Sequence, residues 1–128
     1  MASVNKVLLL GNLTADVELR YTPAGTPVGN FDLALNERYK GGDGQLQERV
    51  TFVPVVVWGR HAEVCAEYLH KGRAAHVEGR LQRRDWVAQD GSRRQQYEVV
   101  AQRVTFLGAP NGHPAPPAEE EAEPGSAG

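Results

Sequence analysis

With 128 residues, 41% of them apolar, and one cysteine, Cys65, the chain has the size of about one domain and excludes an intramolecular disulfide framework. Its formal charge of −2 hides a division: all 14 Lys and Arg precede Ala109, against 12 of the 16 Asp and Glu, so that body carries +2. The tail, with Glu119, Glu120, Glu121 and Glu123, carries −4, and a weakly basic body can meet a polyanion whatever the whole-chain balance.

Residues 4–13, β-branched and aliphatic, read as a first strand in which Gly11 permits a bend or bulge. The run Val7-Leu8-Leu9-Leu10 is too short for a signal peptide or a membrane span, so a soluble, intracellular protein is expected. Residues 16–21 continue this strand up to a Pro/Gly turn over 22–27. The second strand spans 28–39, where Phe31, Leu33 and Leu35 alternate with Asn30, Asp32 and Asn36. Residues 40–45 are glycine-rich and are expected to form a mobile loop. They are not a phosphate loop, because no Lys-Ser/Thr pair or helix follows.

The third strand spans 49–58, with Phe52, Pro54, Val56 and Trp58 on one face and Thr51, Val53, Val55 and Val57 on the other. Pro54 lacks an amide hydrogen, which places it at an edge or a bulge. A short helix over 61–70 follows, stopped by Gly72, with His70 and Lys71 in its last turn. Residues 73–86 and 93–107 form the fourth and fifth strands. After Gly108 the chain turns to Pro, Ala, Gly and Glu, so the expected layout is a folded domain over 1–108 and an unstructured acidic tail over 109–128. Five strands with one helix between the third and fourth suit an all-β, five-stranded OB-fold barrel, although SH3-like barrels share much of this pattern.

The densest chemistry lies at 79–99, where Arg80, Arg83, Arg84, Trp86, Arg93, Arg94 and Tyr97 flank an Asp90-Gly91 turn. Two readings stand: a solvated basic edge, or a surface for a polyanion with stackable groups, such as single-stranded nucleic acid. Trp86 sits among charges near a strand end, Trp58 closes its strand beside Gly59, and Tyr39 borders the glycine loop. These three suit rims on which bases stack. Phe52 taken alone reads as core. His61 and Cys65 share a helix face while His70 projects about 140° away, so a lone buried Cys with solvated His residues is expected rather than a metal site. No pair resembles a nucleophile and its base, so neither an enzyme nor a cofactor is expected.

Asn5-Lys6-Val7-Leu8-Leu9-Leu10-Gly11-Asn12-Leu13, Arg20-Tyr21 followed by Gly25 and Val28, and Val55-Val56-Val57-Trp58-Gly59 resemble segments of bacterial single-stranded DNA-binding proteins. Ala66-Glu67-Tyr68-Leu69-His70-Lys71-Gly72 and Val77-Glu78-Gly79-Arg80-Leu81 do so as well, all in consistent order. The resemblance implies an OB fold, usually a homotetramer, that wraps single-stranded DNA during replication, recombination and repair in the cytoplasm, at the nucleoid. It puts the stacking aromatics at Tyr39, Phe52, Trp58 and Trp86, with Arg80, Arg83, Arg84, Arg93 and Arg94 as a basic track. Two departures accompany it. The acidic run lacks the apolar tip through which the family docks replication and repair enzymes, which puts that recruitment in doubt. Pro54 lies near the family's subunit contacts, leaving a dimer as the alternative assembly. An RNA-binding or primosome-type module, or a protein whose role is carried by its tail, are the competing functions.

Overall fold

The computed structural model describes residues 3–107 together with Glu119 and Glu120. Alternation along each strand sets which side chains turn inward. In β3 (Pro27–Lys40) these are Phe31 and Leu33, and in the antiparallel β4 (Leu46–Trp58) they are Val55 and Val57, all buried. β5 (Ala74–Val87) and β6 (Arg93–Phe106) form a second long hairpin that contributes Val77, Val99, Val104 and Phe106. β1 (Val7–Leu13) pairs with β5 from Val7↔Gly79 to Asn12↔Ala74, and with β3 at Asn12↔Ala34 and Leu13↔Leu33. A parallel contact, Val55↔Val99 and Val56↔Val100, joins β4 to β6. The ring β1-β5-β6-β4-β3 therefore closes, and the expected five-stranded OB barrel is the fold. Each fully buried aliphatic side chain inside it is worth roughly 1.5–3 kcal/mol.

The first expected strand is two. After Leu13 the chain leaves β5, and the Asp16 carboxylate accepts the Lys71 amide at 2.9 Å. β2 (Glu18–Tyr21) then pairs with β3 further along the flank that β1 uses. Gly11 makes no bulge. β1 runs through it in register with Ala75, and the glycine is there for space, since a Cβ would lie 2.6 Å from the Ala34 carbonyl oxygen. The register shift falls instead at Glu78/Gly79, where a Cβ on Gly79 would run into the Val100 carbonyl oxygen. Pro54 stands where the parallel β4–β6 pairing gives out, which suits a residue with no amide to donate.

α1 (Arg60–Tyr68) starts at Gly59 and covers the barrel with Ala62 and Cys65. It ends earlier than its sequence suggests. Leu69 turns to extended backbone (φ −101°) and inserts into the core, leaving His70 and Lys71 outside the last turn. His70 nonetheless places Nε2 3.1 Å from the Glu67 carbonyl. His61 corrects the expectation of solvated histidines, being only 1% exposed.

Three hairpins end in one kind of turn. In residues 22–26, 41–45 and 88–92, the first amide donates to the carbonyl of the fifth residue at 2.9 Å, and the fourth residue is a glycine that donates back to the first carbonyl. These glycines, Gly25, Gly44 and Gly91, have φ between 81° and 87°, the left-handed region. Asp43 and Asp90, third in the second and third turns, accept the amides of Gln45 and Ser92. The segment expected as an irregular loop over 40–45 thus closes a two-stranded arm that projects from the barrel, with exposed residues along most of 36–52. Of the tail expected to be unstructured over 109–128, all but Glu119–Glu120 lies outside the described residues. Those two form β7, antiparallel to Arg103 and Val104 of β6. Among the described residues no helix is long and apolar enough to cross a membrane.

Candidate nucleic-acid interface

The outward parity of β4 carries Phe52, Pro54, Val56 and Trp58. A small cluster of Val28, Val56 and Val100, with Trp58 packed against it, lies apart from the core that fills the barrel. Val100 marks which side of β5–β6 belongs to this surface. Cross-strand partners point the same way, so Arg80 (opposite Val100), Gln82 (opposite Glu98), Arg84 (opposite Gln96) and Trp86 (opposite Arg94) share it. The outer side of the barrel therefore gathers Phe52, Trp58 and Trp86 with Arg80, Arg84 and Arg94. Arg83 and Arg93 pair with Tyr97 and Val87 on the other side of the hairpin. Tyr39 has the parity of Phe31 and Leu33, which sets it on the opposite side of the arm from Phe52. By strand parity the nine expected residues thus fall into two sets, which meet at the hairpin tip, where one cleft draws on both.

Phe52 is 62% exposed, so the core reading of this residue fails. It stands opposite Ala34 on β4, before the stretch of that strand, Val55 and Val56, that pairs with β6. Trp58 is half-buried and borders a cleft of about 370 Å³ whose walls include Arg20, Tyr21, Asn30, Gln82, Arg84 and Glu98. A second cleft of about 650 Å³ at the hairpin tip is lined by Trp86, Arg83, Asp85, Arg93 and Arg94. Two rings each carry a guanidinium on one face: Arg84 Cζ lies 4.3 Å from the Trp86 centroid, and Arg49 Cζ lies 4.6 Å from that of Tyr39. The Tyr39 hydroxyl donates to Gln47 at 3.0 Å, fixing the ring against its own arm.

The arginines differ in how firmly they are held. Arg83 donates to Asp85 at 3.0 Å, which raises its pKa, and Arg94 lies 3.6 Å from Asp90 and donates to Ser92 Oγ. All these groups are well exposed, so water screens the pairs and phosphate can replace the carboxylate. Hydrogen bonds from the Ser92 hydroxyl and amide hold the Asp90 carboxyl below its ordinary 3.8. Arg93 has no ion-pair partner among the described residues. Arg84 differs from the rest: it donates to Glu98 at 3.1 Å, and Glu98 is buried.

Four residues were not singled out from the sequence: Arg20, Gln82 and Glu98 on the outer side, and Arg49 on the side of Tyr39. Arg20 donates to the Asn30 side-chain oxygen at 2.9 Å at the rim of the Trp58 cleft. For Glu98 a signal existed, because it shares strand parity with Val100 inside a β-branched run. For Arg49 the only clue was its place three residues before Phe52. Among the described residues no group of three or more His, Cys, Asp or Glu could hold a metal ion.

Residues 4–107 match the model of the single-strand binding protein family. Single-stranded DNA-binding protein 3 of Clostridium acetobutylicum is 47% identical over 105 residues, covering 81% of this chain and 71% of that protein. The single-stranded DNA-binding protein of Helicobacter hepaticus is 44% identical over 103 residues, 80% of this chain and 61% of that protein. Single-stranded DNA-binding protein 2 of Chlorobaculum tepidum is 45% identical over 108 residues, 84% and 73% of the two chains. Among solved structures, a Plasmodium falciparum SSB in complex with ssDNA superposes with a TM-score of 0.72 at 26% identity, covering 79% of this chain and 89% of that one.

Proposed function

The chain belongs to the single-strand binding protein family, and we propose that it binds single-stranded DNA without strong sequence preference, as a non-catalytic protector of exposed strands in replication, recombination and repair. The observation that carries this reading is the gathering of Phe52, Trp58 and Trp86 on one outer side of the barrel, around clefts that arginines enter. Rings spaced along a surface accept unstacked bases of any identity, at about 1–3 kcal/mol per base. A duplex keeps its bases stacked, and α1 is occupied in covering the barrel, so it does not serve as a recognition helix.

On this reading Phe52 and Trp58 take bases on the barrel side, Trp86 takes one at the hairpin, and Arg80 and Arg94 meet phosphates beside them. Tyr39, Arg83 and Arg93 face the other way, so a strand that uses them passes around the arm and the hairpin. With about four cations meeting phosphates, log affinity falls with log salt at a slope of roughly −3. Titration with poly-dT at two salt concentrations, followed by tryptophan fluorescence, tests the proposal. Strong quenching with that slope supports it, with duplex DNA a poor competitor. Absence of quenching, or salt-independent binding, overturns it, and tighter binding of poly-rU would assign the surface to RNA.

The assembly we propose is a homotetramer. Among the described residues β1 pairs with β3 only through Asn12 and Leu13, which leaves its edge over residues 7–11 open to them, and Leu8 and Leu10 stand exposed on this strand. An open edge with apolar side chains suits pairing with another copy. Light scattering should give a particle near four times 14.0 kDa, whereas twice that mass would indicate the dimer.

A further inference from the structure

We infer that Glu98 is a positioning residue of the binding surface: its buried carboxylate pins Arg84 across one face of Trp86, leaving that ring one face for a base and withholding Arg84 from the phosphates. The base and phosphate parts of this inference rest on the single-strand reading above.

Glu98 is 4% exposed, and both of its carboxylate oxygens are used. Oε1 accepts from Arg84 Nε at 3.1 Å, and Oε2 accepts from Gln82 Nε2 at 3.0 Å. Gln82, Arg84 and Trp86 alternate along β5, so they share one side, and Glu98 stands directly opposite Gln82. With Nε committed to Glu98, the guanidinium lies over the indole, 4.3 Å from its centroid. A carboxylate removed from water and deprived of its cation is strongly unfavourable. Arg84 therefore cannot leave for a phosphate as Arg83 and Arg94 can, whose carboxylates are exposed and rehydrate when released. Arg49 over Tyr39 makes the contrast plain. Its carboxylate partner, Glu37, is 3.5 Å away and about half exposed, so that stack is free to open.

The test uses Trp58→Phe as background, so that Trp86 is the sole indole. Glu98→Gln, Arg84→Gln and the double variant are compared with this parent in two measurements: acrylamide quenching of the free protein, and poly-dT affinity between about 50 and 200 mM salt. Glu98→Gln should free Arg84, increase quenching of Trp86, and steepen the salt slope by about 0.7. That slope adds roughly 2.5-fold to the affinity lost over this salt range. Arg84→Gln should weaken binding with the slope unchanged, and the double variant should match it in slope. Glu98 is merely structural if Glu98→Gln leaves both readouts at parental values. Arg84 is already a phosphate ligand if Arg84→Gln flattens the slope by about 0.7, and either result overturns the inference. Should Glu98→Gln fail to fold, the slope of Arg84→Gln decides alone. A parent that does not respond to poly-dT sinks the single-strand reading, while acrylamide access to Trp86 still tests the Glu98–Arg84–Trp86 arrangement.

Discussion

Phe52→Ala separates a binding ring from a core ring, because the two roles predict opposite outcomes for folding and for affinity. Complete burial of a large apolar side chain is worth roughly 1.5–3 kcal/mol. Phe52 keeps 62% of its surface in water, so removing it forfeits less than half of that, about 1 kcal/mol, and leaves no enclosed cavity. A core phenylalanine would cost about 3–5 kcal/mol. Lost stacking should weaken binding by about 1–3 kcal/mol, or about 5- to 150-fold in Kd. Urea unfolding and poly-dT titration of the same preparation measure both quantities, with Leu33→Ala as the reference for a truly enclosed side chain, expected to lose about 2–5 kcal/mol. A stability loss near 3 kcal/mol for Phe52→Ala, or an unchanged Kd, would refute the reasoning.

Arg93→Ala should flatten the salt slope of poly-dT binding by about 0.7 without lowering the unfolding midpoint, measured by titration at several salt concentrations. Gly79→Ala should lower thermal stability by at least about 1–3 kcal/mol, because its Cβ would meet the Val100 backbone carbonyl and its neighbours rather than a movable side chain. Asp90 is depressed in the folded protein, so its contribution is complete above the unfolded value near 3.8 and disappears as pH falls through the lower folded value. A carboxyl NMR titration should place its midpoint below 3.8, and Ser92→Ala should move it back up.

Much of the barrel was readable because burial imposes period two. Phe31 and Leu33, alternating with Asn30 and Asp32, declare an inner side, whereas both faces of the 49–58 strand are mostly apolar and only its pairing with β3 turns Val55 and Val57 inward. The break between β1 and β2 was not readable, since it depends on Asp16 meeting Lys71 from the far end of the helix. The geometry of the 41–45 turn was not readable, because its glycines suggest only a break in regular structure, whereas a glycine at φ 81° and the Asp43 carboxylate together fix one turn. Of the candidate site, Tyr39, Trp58 and Trp86 were legible from strand ends and neighbouring charge, whereas Phe52 read as core and was raised only by the family resemblance. The division of these rings into two sides was not legible, nor was the place of Arg84 on a buried carboxylate. Both follow from register, of β3 with β4 and of β5 with β6, and no local pattern encodes which residue of one strand faces which of the other.

The shared turn of the three hairpins limits how this surface can vary. The turn fixes which residues of its two strands stand opposite one another, so one residue gained or lost on a single strand would exchange the sides on which that strand's residues lie. In the 36–52 arm such a change would put Phe52 on Tyr39's side, or bring the inward valines of β4 to the outside. Lengthening both strands by the same even number preserves every facing. The arm and the 79–99 hairpin can therefore grow or shrink among relatives by matched pairs of residues, changing the reach of the protein along a strand while each ring keeps its side.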